Sequence, residues 1–326
     1  MKKMIIRVDD VGFSDVYNIG TFETIEHGLA TSADVMLDSP GTEDALRRLK
    51  AFPWISVGWH MHMWGTPVLD AGKVPSLVER NGEFAGRFRS DLVAAEDVAY
   101  QEALLELRAQ LDRCIAILGK VPDTCDIMGG SSPWRRAVKD VVEEYGIPHD
   151  FAIIKGNDPR VVERITQAQK AGERWAKFYD INLSDRLPDD KWADRNIVIL
   201  DGTFAFIDLY TDSVTAVEEN YDPVRYYTED RAGILGFPDE VIIEQSWHPG
   251  YLDYYVYRLG ERNYRDRARQ FTVARVQDVA ALCSVRLKAW VKANHIELIS
   301  FRDALYGTRE YQNHLRNAGS DLLALD

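Results

Sequence analysis

The sequence contains few cysteines, and none of them are paired at a metal-binding or disulfide-like spacing. Among 326 residues only three cysteines occur, far apart, at Cys114, Cys125 and Cys283. Disulfide frameworks and zinc knuckles need several closely spaced cysteines, so neither is expected here. Isolated cysteines are typical of reducing compartments, and we therefore expect a cytoplasmic protein.

Basic residues and long apolar runs are also scarce. The 39 lysines and arginines are outnumbered by 52 aspartates and glutamates, which gives a formal net charge of -13. Because there is no basic stripe to hold a polyanion, nucleic acid is not an expected partner. The apolar residues before Arg7 are too few for a signal-peptide core or a membrane span, so we expect neither export nor membrane attachment.

What the sequence does contain is an alternation of short apolar runs and longer helical patterns. Repeated strand, helix, strand units imply parallel pairing, and eight of them favour a barrel over an open sheet. We therefore predict an α/β fold, a TIM-barrel-like (β/α) barrel with mostly parallel strands. The predicted strands are 4–8, 32–37, 55–59, 123–127, 151–154, 197–200, 241–244 and 296–299, and the predicted helices are 14–27, 43–51, 96–119, 132–145 and 272–294.

We predict one domain over residues 1–326. Two polar, charged stretches with scattered aromatics, 156–192 and 212–237, are predicted to be long excursions from this domain. Such excursions either cover a site or mediate self-association of subunits, and a homo-oligomer is therefore one expectation.

Two adjacent carboxylates, Asp9 and Asp10, follow the first predicted strand directly. In parallel α/β folds the carboxyl ends of the strands carry the site. One interpretation is that the strand simply ends here and both carboxylates face water, with Gly12 and Ser14 forming a turn and a helix cap. The other is that both are buried, and their mutual repulsion then requires a nearby cation such as a metal ion.

Histidines follow two other predicted strands. His60 and His62 are two residues apart, so a continuing strand would project both imidazoles to one side, where they could bind a metal. His248 precedes Pro249 and Gly250, which force a turn that fixes the direction of the imidazole. This histidine is either packed near a loop or positioned as an acid facing the metal.

Aromatic and charged residues near these positions have alternative interpretations. Trp64 and Trp247 flank the candidate ligands and are predicted to stack on a sugar, as is Trp59, although core packing explains one or two of the three equally well. Arg275 and Asp278 are separated by one helical turn, and we expect them to pair with each other in a structural role.

Several of these segments occur together, in the order RVDDVGFS, NIGTFETIEHGLATSADVM, VGWHMHMWGTPVLDAGKVPSLVERNGEF, EQSWHPGY, RVQDVAALCS and HIELISF. In them the chain resembles the YdjC-like carbohydrate deacetylases, also called the ChbG/HpnK family. The resemblance is weak only over about 153–240. It implies a deformed (β/α) barrel in which a divalent metal ion assists removal of an acetyl group from an N-acetylated sugar.

The resemblance also implies roles for individual residues. Asp10 and His60 match the family's metal ligands. Asp9 matches the carboxylate expected to act as general base, and His248 matches the histidine expected opposite it, which would protonate the amine or hold the oxyanion. A saccharide is therefore the expected substrate.

One motif departs from the family. Where the family carries Asp-Ser-His-x-His, this chain has Asp126 followed by Ile127, Met128, Gly129 and Gly130, so both histidines are replaced. One explanation is that another residue completes the site, with His62 favoured and Asp126 next, and that the ion is zinc, magnesium or manganese. Another is that the protein binds carbohydrate without catalysis.

A third possibility is that the site acts on a different, anionic substrate. Gly129 and Gly130 free the backbone ahead of Ser132 and Pro133, and such a loop can hold an anion. The simpler interpretation is an ordinary helix start, with Ser132 as N-cap and Pro133 in the first turn.

Overall fold

The computed structural model describes residues 1–61, 63–125, 130–149, 159–172, 197–201, 222–230, 233–237, 239, 242–264 and 268–324. The predicted ligand His62, its alternative Asp126 and the predicted strand at 151–154 lie outside the described residues. Most of the excursion at 156–192 and the first part of the one at 212–237 also lie outside them. The one-domain prediction stays a prediction.

The described strands form one parallel sheet, which confirms the α/β fold class. Its seven strands are ordered β4-β3-β2-β1-β6-β5, with β7 also paired to β1. Seven of the eight predicted strands are found in this part of the chain, and closure into a barrel remains a prediction. The strands are β1 (Lys3–Val11), β2 (Ser32–Met36), β3 (Ser56–His60), β4 (Thr124–Cys125), β5 (Ile197–Asp201), β6 (Ile242–Trp247) and β7 (Glu297–Leu298).

Helices connect and cover the strands, and one predicted helix is wrong. The segment 272–294 is not one continuous helix but two, because Ser284 has extended backbone and its hydroxyl accepts a hydrogen bond from Arg286 N as a new N-cap. The helices are α1 (Asp15–Glu26), α2 (Thr42–Leu49), α3 (Tyr100–Leu118), α4 (Pro133–Glu144), α5 (Pro159–Lys170), α6 (Pro223–Thr228), α7 (Tyr254–Tyr264), α8 (Ala268–Leu282), α9 (Val285–Ala293), α10 (Phe301–Tyr306) and α11 (Glu310–Asn317), with 3-10 turns at Ala71–Lys73 and Ile234–Gly236.

Strand β1 occupies the centre of the sheet. Strand β6 pairs with one edge of β1. The other edge pairs with β7 near the start of β1 and with β2 near its end. There the Met4 carbonyl accepts a hydrogen bond from Ile299 N, and the Ile6 carbonyl accepts one from Thr31 N. After Lys3, every residue of β1 is buried. The carboxylates at its end are therefore delivered into the interior of the protein.

None of the helices in the described part of the chain combines the length and the apolar composition needed to cross a membrane. The large apolar cluster lies between the sheet and its helices. It includes the fully buried rings of Trp59, Trp134 and Trp247. These buried rings are part of the packing between the sheet and its helices.

Candidate active site

Both Asp9 and Asp10 turn toward His60, although neighbouring strand residues ordinarily face opposite sides. The register between β1 and β2 shifts between Val8 and Val11. Asp10 also has a φ of 59°, in the left-handed region that a non-glycine residue seldom adopts. As a result Asp10 Oδ1 lies 3.2 Å from His60 Nε2, while Asp9 is in the same ligand-atom cluster as His60.

That cluster has a third member that the sequence analysis missed. Ligand atoms of Asp9, Asp34 and His60 all lie within 4.8 Å of one another, and all three side chains are buried. Asp34 lies in the middle of β2, 1% exposed. A carboxylate inside an apolar strand is rarely buried without a partner, and this is the signal that would have identified it.

Gly58 makes room for the Asp34 carboxylate. These two residues are register partners on β3 and β2. A Cβ added at Gly58 would lie 2.0 Å from Asp34 Oδ1, which no side chain could tolerate without displacing the carboxylate. The absence of a side chain at Gly58 therefore allows Asp34 to lie across β3 toward His60.

Asp10 is fixed from the other side by Arg275. Arg275 Nη2 lies 2.7 Å from Asp10 Oδ2, and both side chains are 1% exposed. A second nitrogen of the same guanidinium donates to the Tyr17 hydroxyl at 2.8 Å. The structural pairing expected for Arg275 with Asp278 therefore gives an incomplete description, because Arg275 reaches across to the strand that carries the adjacent carboxylates.

The charges around Asp10 decide its ionisation. Burial alone raises the pKa of Asp10, but the positive charge of Arg275, the hydrogen bond with His60 and the charges of His248 and His60 outweigh it. The net effect holds the pKa of Asp10 well below its ordinary value. Asp10 is thus a carboxylate across the whole physiological pH range, as a metal ligand must be.

Arg7 holds the neighbouring carboxylate, Asp9. Arg7 Nε lies 2.8 Å from Asp9 Oδ1, and Arg7 Nη2 donates to Asp9 Oδ2 at 3.1 Å. The same guanidinium donates to Ser246 Oγ at 2.9 Å and lies 3.6 Å from Asp34. This two-point contact orients Asp9 within the sheet interior.

Glu244 adds another buried acid below this arginine. It lies 3.4 Å from Arg7 Nε and its side chain is 0% exposed. Burial raises the pKa of Glu244 to about 8, with Arg7 opposing the shift and the nearby Asp9 and Asp34 adding to it. Burial therefore favours the protonated form of Glu244, which leaves more of the Arg7 charge to Asp9 and Asp34.

His248 lies near Asp10 in a turn that is fixed on both sides. Its backbone N–H donates to Asp278 Oδ2 at 3.2 Å, and its charge contributes to the lowered pKa of Asp10. The next residue, Pro249, accepts a hydrogen bond from Thr21 Oγ1 at 2.7 Å. Asp278 therefore holds the backbone of His248 in place through this hydrogen bond.

The tryptophans differ in exposure. Trp247 is 0% exposed and stacks on Tyr227 with ring centroids 5.5 Å apart, which favours core packing over contact with a sugar. Trp59 is also fully buried. Trp64 is only half-buried, and it packs edge-on against Phe13 at 5.5 Å.

Asp38 fixes the loop that carries Trp64. Gly65 N donates to Asp38 Oδ2 at 2.6 Å, and Ser39 Oγ donates to Asp38 Oδ1 at 3.0 Å. Burial raises the pKa of Asp38 to about 6, against the opposing hydrogen bonds from Gly65 and Ser39. The loop is therefore fastened to the end of β2 through one buried acid.

The helix start predicted after the third motif is confirmed. The Ser132 side chain accepts a hydrogen bond from Arg135 N, and Pro133 occupies the first turn of α4. Gly130 has a φ of 148°. Asp126, Met128 and Gly129 lie outside the described residues, so the anion-binding loop remains an expectation.

The donor set is chemically suited to a divalent cation. It combines carboxylate oxygens with an imidazole nitrogen, which are ligands that zinc, manganese and magnesium sites use. Asp10 is ionised and in contact with His60, and Asp9 and Asp34 bring further negative charge to the same imidazole. The residues present therefore fit a metal ion.

A family-level comparison covers most of the chain. Residues 3–293 match the family described as YdjC-like protein. Over 308 residues the chain is 24% identical to a protein named carbohydrate deacetylase 2 from Listeria innocua serovar 6a, covering 92% of this chain and 98% of the relative. The matched residues 3–293 therefore include the candidate site residues and the strands at both ends of the sheet order, β4 and β5.

Shorter segments match other named proteins more closely. A carbohydrate deacetylase from Geobacillus stearothermophilus is 40% identical over 110 residues, 33% of this chain and 42% of that protein. A chitooligosaccharide deacetylase from Proteus mirabilis is 32% identical over 124 residues, 38% of this chain and 47% of that protein.

A solved structure shares the fold. It is named as a proposed cellobiose-phosphate cleavage protein from Enterococcus faecalis V583, and it aligns with a TM-score of 0.58. The alignment covers 93% of this chain and 99% of the other, at 20% sequence identity.

Proposed function

This chain belongs to the YdjC-like protein family, and from that premise we propose that it is a metal-dependent hydrolase that removes the N-acetyl group from an amino sugar or short oligosaccharide. Relatives named as carbohydrate and chitooligosaccharide deacetylases support this substrate class. The observation that carries the proposal is that buried carboxylates surround the His60 imidazole: ligand atoms of Asp9, Asp34 and His60 lie within 4.8 Å of one another, and Asp10 Oδ1 lies 3.2 Å from His60 Nε2.

Asp10 and His60 would hold the ion, as predicted from the sequence. His62 remains the predicted third ligand, and Asp34 is a described residue within reach of the same imidazole. A divalent ion at such a site lowers the pKa of a water molecule and offers positive charge to a developing oxyanion. Zinc, magnesium and manganese are all compatible with these donors.

Asp9 is the general base in this proposal. Its carboxylate would accept a proton from the attacking water, and Arg7 keeps it oriented by contacting both of its oxygens. His248 would donate a proton to the departing amine or stabilise the oxyanion. Asp278 supports that role, because it binds the backbone N–H of His248 and so helps to set where the imidazole lies.

Saccharide contacts are proposed for Trp64, whose half-buried ring is available at the rim. Trp247 was predicted for the same role, but its complete burial supports packing instead. We also propose a cytoplasmic location, which the isolated cysteines support. Self-association of subunits stays a prediction attached to the excursions.

The test is acetate release from a panel of N-acetylated mono- and oligosaccharides, with zinc, magnesium and manganese each supplied in turn. We expect release with at least one ion and its loss in Asp9→Asn. Asp15→Asn is the matched control, since Asp15 is exposed in the first turn of α1. Release from Asp9→Asn at the wild-type rate would contradict the assigned base.

A second candidate function is carbohydrate binding without catalysis. It is favoured by the replacement of the third-motif histidines by Met128 and Gly130. This alternative predicts saccharide binding by the wild type with no acetate release under any of the three ions. A third candidate is another metal-dependent hydrolase with an anionic substrate, such as a phosphatase or an esterase, and it predicts no acetate release from the uncharged members of the panel.

A further inference from the structure

One face of α1 contacts both chain segments that carry the candidate active site. Tyr17 and Thr21 are four residues apart, so they lie on the same side of the helix, and both are fully buried. Tyr17 reaches the end of β1, and Thr21 reaches the loop after β6. Buried hydroxyl groups need hydrogen-bond partners, and the partners of these two are found among the segments of the site.

The Tyr17 hydroxyl joins the two supports of the adjacent carboxylates. It donates to the Asp9 carbonyl at 3.3 Å and accepts from Arg275 Nη1 at 2.8 Å. Burial raises the pKa of Tyr17 well above its ordinary value, against the opposing charge of Arg275, so the hydroxyl keeps the proton that it donates. One hydroxyl therefore holds both the backbone that precedes Asp10 and the guanidinium that pairs with Asp10.

The next residue of α1 holds the backbone on the other side of Asp10. Gly12 N donates to Asn18 Oδ1 at 2.8 Å, and Asn18 Nδ2 donates to the Gly41 carbonyl at 2.9 Å. A non-glycine residue with a left-handed φ, as Asp10 has, persists only where the surrounding structure fixes it. Tyr17 and Asn18, on consecutive positions of one helix, supply that restraint.

The same face of α1 also holds the loop that carries His248. Thr21 Oγ1 donates to the Pro249 carbonyl at 2.7 Å. The Tyr17 ring lies against Gly250, where an added Cβ would come within 2.1 Å of Tyr17 Cε2. Only a residue without a side chain permits this approach. Helix α1 therefore sets the position of this loop relative to the end of β1.

We propose that Tyr17 and Thr21 are positioning residues that align the two halves of the site. They act through the segments they hold, Tyr17 on the carboxylates at the end of β1 and Thr21 on the loop that carries His248. An acid and a base must meet the same substrate, and a misplacement of about 1 Å can cost about 100-fold in rate. This inference rests on the proposed deacetylase function, because it assigns both residues to that reaction.

Two substitutions test the proposal by removing one hydroxyl each while the shape of the side chain is kept. Tyr17→Phe releases the Asp9 carbonyl and Arg275. The Kd for the ion should therefore rise about tenfold, as for other groups that support metal ligands, and kcat should fall by a similar factor with KM within about twofold of wild type. Titration calorimetry measures the first constant and acetate release measures the other two.

Thr21→Val releases only the loop after β6. We expect kcat to fall about fivefold, the loss of one hydrogen bond, with the Kd for the ion unchanged. Tyr145→Phe is the matched control, because it removes the hydrogen bond of an exposed pair with Asp112, and it should change none of the constants.

The contrast between the two variants separates positioning from a general contribution to stability. A purely structural role would lower Tm in both variants and leave the Kd for the ion and kcat of the folded protein at their wild-type values. That result overturns the proposal. An equal rise in the Kd for the ion in Tyr17→Phe and Thr21→Val also overturns it, because the two residues would then not act on different halves of the site.

Imidazole nitrogen chemical shifts, recorded on protein with labelled histidine, separate this inference from the deacetylase proposal, since they need neither ion nor substrate. Tyr17→Phe should shift the His60 resonances and Thr21→Val those of His248, while His314 is unchanged in both. These shifts in a protein that releases no acetate would uphold the positioning role and reject the hydrolysis alone. Unshifted His60 and His248 resonances would overturn the positioning role even in a protein that releases acetate.

Discussion

At the scale of single residues, Asp10 combines an unusual backbone with an unusual electrostatic environment. Its left-handed φ costs roughly 1–3 kcal/mol in many residues, although aspartate is among the side chains that tolerate it best. This conformation allows two consecutive carboxylates to approach one imidazole. The surrounding cations then keep Asp10 charged despite its burial.

Arg275 is predicted to maintain this arrangement. Replacing it with methionine leaves Asp10 buried without its 2.7 Å partner, so the free energy of unfolding should fall by about 3–5 kcal/mol. Chemical denaturation measures this loss. Arg47→Met removes an exposed pair, with side chains 65% and 48% exposed, and should change stability by less than about 1 kcal/mol. Equal effects in the two variants would contradict the assignment.

Asp38 gives a prediction for pH dependence. Burial raises its pKa from 3.8 to about 6 in the folded protein, so the folded state binds this proton more tightly than the unfolded state. The stabilising effect is complete below about pH 4 and is lost as the pH rises through about 6. Between these limits, wild type should lose about 3 kcal/mol relative to Asp38→Asn.

Unfolding titrations at several pH values, on wild type and Asp38→Asn together, measure that difference. Above about pH 7 the difference in stability between wild type and Asp38→Asn should no longer change with pH, and this range provides the internal control. A difference independent of pH from 4 to 7 would show that Asp38 ionises normally in the folded protein.

At the scale of secondary-structure elements, the segment after β3 depends on α7 for its position. Arg262 on α7 donates to Glu79 at 3.0 Å and to the Phe88 carbonyl at 3.0 Å. Its guanidinium also lies 4.4 Å from the centroid of the Phe84 ring. One side chain thus fastens the segment after β3, which also carries Trp64.

Arg262→Gln should therefore weaken substrate binding more than catalysis. The loosened segment would raise KM several-fold, while the proposed ligands on β1 and β3 keep kcat within about twofold of wild type. Steady-state acetate release measures both constants. Arg47→Gln, far from this segment in an exposed i,i+4 pair, is the control. A change confined to kcat would contradict this role for Arg262.

The elements also show which features the sequence could predict. Buried strands such as β2 and β3 are found within a residue or two of their predicted bounds, because their apolar runs are short and bounded by turns. The break between α8 and α9 is not predicted, since no glycine or proline interrupts the sequence over 272–294 and the new helix start depends on the Ser284 hydroxyl. The sequence predicted Asp9, Asp10, His60 and His248 as members of one site, from their places after the strands.

Other features of the site depend on pairing between distant segments. The register shift of β1 against β2, and the left-handed φ of Asp10, are properties of the assembled sheet. Arg275 reaches Asp10, on the first strand, from α8 in the last quarter of the chain. Asp34 depends on the missing side chain of Gly58, on another strand. Local periodicity contains none of this information.

At the scale of the whole molecule, the proposed ligands Asp10 and His60 lie on β1 and β3 of the sheet, so ion binding should stabilise the entire fold. A ligand that binds only the native state adds about 4 kcal/mol at a free concentration of 1,000 times Kd. For a chain of this size, that corresponds to a rise in Tm of roughly 5–10 °C. Differential scanning fluorimetry with the preferred ion measures it.

His60→Ala is the variant to compare in that experiment, because it removes the imidazole that both carboxylates approach. Its Tm should not rise with the ion. His27→Ala, at the exposed C-cap of α1, should retain the full rise. A rise of equal size in His60→Ala would place the ion elsewhere.

The most direct test of the central claim, that one divalent ion binds at Asp10 and His60, is the metal content of the purified protein. Wild type, His60→Ala, His62→Ala and Asp34→Asn would be dialysed against metal-free buffer, re-supplied with zinc, manganese or magnesium, and measured by mass spectrometry. We predict about one ion per chain in wild type and its loss in His60→Ala, with loss in His62→Ala or Asp34→Asn identifying the further ligand. A wild type that binds none of the three ions, or a His60→Ala variant that retains its ion, would contradict the account.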